Sequence, residues 1–176
     1  KTFRVKSIIA AGKEPITDLP IDFTKLDMAL LAVATSNAAG KLPPPVPLLA
    51  NAQRAEHERQ IFTVGYPAKP QILPTDPAGA LRMDVVARLR AIFRLKYGVK
   101  YFSLGVVSTT LGHVEGDLRT WVFNHDATTL AGNSGSAAVD FADPIAVIGL
   151  HFAGDWLRAN HAHAIAAVKA SNEMPR

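Results

Sequence analysis

Cysteine is absent from the 176 residues, which excludes disulfide scaffolds, thiolate metal sites and cysteine nucleophiles together. Any nucleophile must be a serine, threonine, lysine or carboxylate. Long apolar runs are missing too. The longest, residues 28–34 and 144–150, fall far short of the roughly 20 residues a membrane-spanning helix needs, and a soluble chain is expected. Only 19% of residues are charged while 48% are hydrophobic, a balance too apolar for a disordered chain. Twelve glycines and twelve prolines are scattered without period or tract, so collagen-like and low-complexity chains are excluded, and no repeat of solenoid length is visible. The chain opens on Lys1-Thr2-Phe3-Arg4-Val5-Lys6, without an initiator methionine or a signal-peptide layout, as a fragment, a processed form or an expression product would.

What is present suits one domain or two small, closely packed ones, at roughly 150 residues per domain. The formal net charge is +4 and the isoelectric point near 9.5. Part of the excess is Arg82, Arg88, Arg90, Arg94, Lys96 and Lys100. No aromatic residues are spaced beside it as base-stacking platforms, so it reads as a solvated helix face, with neither nucleic acid nor membrane as partner.

Residues 2–10 alternate as a strand does, with a turn at 12–15, and residues 26–33 form a short apolar run that reads as a buried strand interrupted by Asp27. The proline-rich segment 42–48 reads as a rigid surface loop rather than a polyproline ligand. Residues 61–67 read as another strand, stopped by Gly65 and Pro67. One helix is expected over 77–97, with Asp76 as N-cap, Pro77 at its first position and Gly98 as stop. Its stripe is Leu81, Val85, Leu89 and Ile92 with Val86 and Phe93, and an Asp84–Arg88 pair lies on the polar side. Short strands follow at 101–110, 118–124, 136–141, 146–152 and 162–166, then a short helix around 166–171, in the cadence of a barrel or sandwich.

The most informative stretch is Thr128-Thr129-Leu130-Ala131-Gly132-Asn133-Ser134-Gly135-Ser136, with a strand directly after it. Ser134, next to Gly135 and two residues after Gly132, is the candidate nucleophile. Glycine permits so tight a bend that the amides of Gly132 and Ser134 can point into one small space as an oxyanion hole. The pattern is not the Gly-x-Ser-x-Gly elbow of α/β-hydrolases, because position 136 is serine and the flanks read strand-loop-strand.

Here the sequence resembles the chymotrypsin-like (trypsin-like) serine peptidases, in particular the cysteine-free bacterial branch that includes the glutamyl endopeptidases. The likeness rests on residues 121–156, which include the Ser134 segment and Val147-Ile148-Gly149-Leu150-His151-Phe152-Ala153-Gly154. It also rests on residues 61–68, similar to the strand that ends the first barrel, and on residues 25–33, similar to an Asp-x-Ala-Leu-Leu strand. The resemblance implies a mainly β, two-barrel fold with an incomplete first barrel, one connecting helix and a short C-terminal helix. The expected units are 1–76 with the triad acid, 77–98 as connecting helix, and 99–176 with the nucleophile.

It also implies that Asp27 is the triad acid, which gives a buried carboxylate a reason to sit in an apolar run. In that family a histidine precedes the acid. Only 26 residues precede Asp27 and none is histidine; the six are His57, His113, His125, His151, His161 and His163. The expectation is that the first strands and the catalytic histidine are lost, that no other histidine replaces it, and that this chain is nearly inactive. An incomplete barrel exposes strand edges, so a homodimer or strand exchange is expected there.

The resemblance further implies that Phe152, Ala153 and Gly154 pair with an extended polypeptide substrate. Thr129 and His151 fall where the glutamyl branch binds a substrate carboxylate, which implies a preference for Glu or Asp before the scissile bond. Ala137 stands where that family usually has proline and Ala153 where it has glycine, and the loop before Ile145 is longer. His161 and His163 share a strand face but lack a third ligand, so they read as solvent or cleft-rim residues. No metal and no cofactor are expected. A bacterial cytoplasmic, periplasmic or secreted location all fit. The alternative is a catalytically inactive relative that binds peptides or a partner through the same cleft.

Overall fold

Period-2 burial decides the larger part of the molecule. The computed structural model describes residues 2–14, 16, 20–49, 54–142, 145–155, 157–171 and 173. Pro15 of the expected turn, and Pro144 and Trp156, which bound stretches named above, lie outside them. The N-terminal strands are β1 (Val5–Ala11), β2 (Ala29–Val33), β3 (Ser36–Asn37) and β4 (Gly40–Lys41). Six more follow: β5 (Gln60–Gly65), β6 (Tyr101–Thr109), β7 (Val122–His125), β8 (Ala137–Asp140), β9 (Ala146–Asp155) and β10 (Ala159–Ala164). These six close a barrel in the order β10-β7-β6-β5-β8-β9, every neighbouring pair antiparallel. Closure gives every stave a neighbour on both sides along part of its length. Ile61, Val107, Phe123, Ala138, Ile148 and Ala162 fill it.

The N-terminal unit is smaller: β1 pairs with β2 and β3 with β4. It docks through a second core in which Leu26, with Ile16, Ile21, Phe23 and Met28 beside it, meets Trp121, Phe152 and Val168. Burial of such side chains, each worth about 1.5–3 kcal/mol, holds residues 26–28 against β9. Ile8, Ile9, Leu30 and Leu31 remain exposed, so β2 is an open ribbon rather than the buried strand expected at 26–33. The architecture is mainly β and chymotrypsin-like, with one closed barrel and a two-stranded ribbon against it.

Two expectations about the halves are corrected. Strand β5, assigned from sequence to the first barrel, pairs with β6 and β8 in the closed one, so a boundary at 76/77 would cut through that barrel. Alternation identifies a strand but not its partners, which lie tens of residues away. The helix is an excursion between β5 and β6 rather than a link between halves. It is also shorter than expected, α1 spanning Met83–Phe93. Asp76 accepts the Ala80 amide at 2.8 Å and closes a turn containing Pro77, so the helix starts without a side-chain cap and stops at Arg94 in the left-handed region. Asp84 pairs with Arg82 at 2.6 Å, not with Arg88. Val85, Leu89 and Phe93 form its buried face against Leu73, Tyr101 and Leu130, while Leu81 and Ile92 are exposed. Arg88, Arg90, Arg94, Lys96 and Lys100 are exposed as well. The proline-rich loop ends beside β9, Val147 donating to the Pro47 carbonyl at 2.8 Å. Helix α2 (Ile165–Ala170) follows β10 directly.

The barrel wall carries one buried charge. Asp140, fully buried, is forked by Arg59 at 2.9 and 3.0 Å and bonded by Arg54 at 3.1 Å. Burial pushes its carboxyl up, but Arg59, the Ala142 amide and Arg54 hold it below the ordinary carboxylate range. Asp140→Asn therefore removes the charge that Arg59 forks, and a loss of about 3 kcal/mol is expected in urea denaturation at pH 7. A loss under about 1 kcal/mol would mean that the pair is no more than a surface contact.

Candidate active site

The loop from β7 to β8 makes two successive tight turns, Asn133 N–H donating to Leu130 at 3.0 Å and Ser136 N–H to Asn133 at 2.9 Å. Gly132 has φ 91°, and a Cβ there would lie 2.7 Å from the Tyr66 carbonyl oxygen, so glycine is required on both counts. Ala68 N–H donates to Ala131 at 2.7 Å, and Gly135 N–H to His151 at 2.8 Å. The loop is thus sewn to residues 66–68 on one side and to β9 on the other. Asn133 is buried beneath it. At Gly65 a Cβ would come within 2.6 Å of Ser136 Oγ and 2.8 Å of Asn133 Oδ1, so the end of β5 also supports the turn. Among the described residues the amides of Gly132 and Ser134 donate to no group. The Ser134 hydroxyl donates to the Phe152 carbonyl at 3.0 Å.

Asp27 lies in the extended lead-in to β2, half-buried rather than buried. Leu26 is buried beside it, Met28 accepts the Gly12 amide at 2.9 Å, and the Asp27 amide donates to His163 Nε2 at 3.1 Å. A cleft of about 550 Å³ has Asp27 and Ser134 on its walls, together with Ala11, Glu14, Met28 and Phe152. Residues separated by more than a hundred positions in sequence therefore face one space.

The histidines differ from expectation. His57 and His113 are exposed, but His125, His151, His161 and His163 are all buried, and the last two are not solvent or rim residues. His125 Nε2 is 3.2 Å from His151 Nδ1, and His161 Nδ1 is 2.7 Å from Asn124 Oδ1. His163 stacks on Phe152, centroids 4.0 Å apart and planes at 13°. Burial, then the neighbouring His151 and His161, pushes His125 down to about 3. Burial, with His161 beside it, takes His151 to about 4, and burial alone takes His163 to about 4. Burial lowers His161 as well, against the pull of Asp155. The four are neutral at pH 7.

Thr129 and His151, paired in the sequence reading, are held by different partners. The Thr129 hydroxyl donates to Asn160 Oδ1, and Asn160 donates to Ala127 at 2.8 Å. Strand β8 leaves β9 after Leu150, and His151 is still bonded to Ser136 and Gly135; beyond it β9 has β10 as its strand partner, so Phe152 and Ala153 have no strand paired on the Ser134 side. Sequence reasoning named His163 only as a solvent or cleft-rim residue and gave no role to Asn133, Asn160 or Leu130. Of these three only Leu130 carried a signal, as an apolar residue inside a polar loop.

A closed antiparallel barrel carries Ser134 on one of its turns, and Asp27 of the adjoining β unit lines the same cleft. The chain belongs to the trypsin-like peptidase domain family, whose sequence profile matches residues 3–150. It is 30% identical over 148 residues to a protein of Lysobacter enzymogenes described as a probable serine protease, a match covering 82% of this chain and 37% of the relative. The chain spans little more than a third of that relative's length.

Proposed function

We propose that the protein is a serine endopeptidase, with Ser134 as nucleophile, Asp27 as the acid that orients a histidine, and the amides of Gly132 and Ser134 as oxyanion donors. The observation that carries this reading is the one cleft that Asp27 and Ser134 both wall; among the described residues the amides of Gly132 and Ser134 donate to no group. In the reaction, Ser134 Oγ forms a bond to the scissile carbonyl carbon while its proton passes to imidazole. The carbonyl electron pair moves to oxygen, which the two amides receive. The proton then goes to the leaving amine as the C–N bond breaks, and water repeats the sequence on the acyl-enzyme.

The base is a histidine other than the six present. His57 and His113 are exposed, and the other four are buried with partners of their own. Without a base the chain is nearly inactive, since oxyanion donors alone leave a small residual acceleration. An extended peptide pairs with Phe152, Ala153 and Gly154 on the open side of β9, releasing Ser134 from the Phe152 carbonyl. Placement within the glutamyl-endopeptidase branch, and its preference for Glu or Asp before the scissile bond, rests on Thr129 and His151. A neutral His151 would serve there as an N–H donor and gain charge only when a carboxylate binds. Exposed Ile8, Ile9, Leu30 and Leu31 support association of two copies or strand exchange through the ribbon.

The second reading, an inactive peptide-binding module, is favoured by the Ser134–Phe152 bond, which engages the hydroxyl proton with a main-chain carbonyl. Peptides differing only at the residue before the scissile bond separate the two. Incubated with the chain and imidazole as substitute base, those with Glu or Asp should be cleaved faster than those with Gln or Lys. Saturable binding with no cleavage in any member would support the module instead.

A further inference from the structure

Asp27 lines the cleft with Ser134, and its backbone is tied to the barrel as well. The Asp27 amide links the N-terminal unit to the barrel, and its acceptor is a side-chain nitrogen, His163 Nε2, at 3.1 Å. That imidazole is fully buried. Accepting at Nε2 fixes its neutral tautomer with the proton on Nδ1, and Nδ1 has no partner among the described residues. The ring lies flat on Phe152, and Phe152 is the residue whose carbonyl receives the Ser134 hydroxyl. One side chain thus touches the acid's backbone on one edge and the nucleophile's β-strand neighbour on its face. Leu26 and Met28, flanking Asp27, pack in the same cluster as Phe152.

We propose that His163 is a positioning residue that fixes Asp27 across the cleft from Ser134 through its Nε2. This rests on the peptidase reading above for its consequence but not for its geometry. Burial of the ring supplies the apolar surroundings in which one N–H···N bond counts, and stacking on Phe152 sets the angle at which Nε2 meets the amide. The groups that face His163 are the Asp27 amide from the N-terminal unit, Phe152 from β9, and His161 through Phe152. Among the described residues no charged group holds it, so the ring works as a neutral acceptor.

The test begins on the unaltered chain. A ¹⁵N–¹⁵N coupling across the hydrogen bond between the Asp27 amide and His163 Nε2 is expected at pH 7. His163→Phe keeps the stacked ring and removes the acceptor, so the Asp27 amide should exchange with solvent about tenfold faster, the order of one lost hydrogen bond. His163→Gln, whose carbonyl oxygen reaches the place of Nε2, should keep exchange slow. Fluorophosphonate labelling of Ser134 with imidazole present should fall about tenfold in His163→Phe and recover in His163→Gln. Absence of the coupling, or equal loss in the two variants, would overturn the proposal and leave His163 as packing alone. If Ser134 is never labelled, the peptidase reading fails, and the coupling and exchange at Asp27 still decide whether His163 holds that segment.

Discussion

Lowering the pH from 7.5 to 5 should unfold the chain, or bring it close. In the unfolded chain each imidazole takes a proton near pH 6.5, whereas in the folded protein His125 resists until about 3 and His151 and His163 until about 4. Between these limits the unfolded state binds more protons, so stability is fully present above about pH 6.5 and is lost as pH falls toward 4. Each neutral histidine costs about 1.4 kcal/mol per pH unit in this window. Three of them at pH 5 amount to about 6 kcal/mol, comparable to the whole stability of many domains. Asp140 does not confuse the reading, because its lowered pKa affects stability only in the carboxylate range, below the histidine window. Urea midpoints followed by tryptophan fluorescence at pH 7.5, 6.5, 5.5 and 5 should fall steeply below 6.5. A midpoint that stays level down to pH 5 would mean that the four imidazoles are reached by solvent.

Gly132→Ala should lower the rate of Ser134 acylation by about 100-fold or more, the cost of losing one oxyanion donor. Two effects act together. A Cβ at 132 meets the Tyr66 carbonyl oxygen at 2.7 Å, main chain that cannot rotate away, and φ 91° is a region L side chains rarely adopt. The turn must therefore shift, and the 132 amide shifts with it. Gly79→Ala is the matched control, with φ 83° and nothing within 4 Å of its Cβ. It carries the conformational strain without the collision and lies in the turn before α1. Labelling with a fluorophosphonate in the presence of imidazole should separate them, Gly132→Ala slow and Gly79→Ala near the unaltered rate. Equal rates would remove Gly132 from the oxyanion site.

The turn that carries Ser134 was legible in the sequence because its geometry is local. Glycines at 132 and 135 have positive φ, and the serine between them is displayed by the bend they permit. Strands were legible where one face is buried, as in β5, whose burial alternates residue by residue. Sheet membership was not, because β5 finds β6 and β8 through contacts about 40 and 75 positions away that no local pattern encodes. Asp76-Pro77 looks like a helix start, yet Asp76 satisfies the Ala80 amide instead and makes a turn. The histidines at 161 and 163 looked accessible because imidazole is polar. Their burial follows from Phe23 and Phe152, which pack against them, and from the docking of the N-terminal unit. The partner of Asp27 was illegible for the same reason: His163 lies 136 positions later.

In the proposed reaction Asp27 and Ser134 act on one imidazole between them. The most direct measurement is the second-order rate of fluorophosphonate labelling at Ser134, mapped by mass spectrometry, as imidazole is raised in the unaltered chain and in Asp27→Ala. The account predicts labelling confined to Ser134, a rate that climbs with imidazole and saturates, and loss of most of that climb in Asp27→Ala. Labelling that ignores imidazole, or an Asp27→Ala chain that responds like the unaltered one, would contradict it.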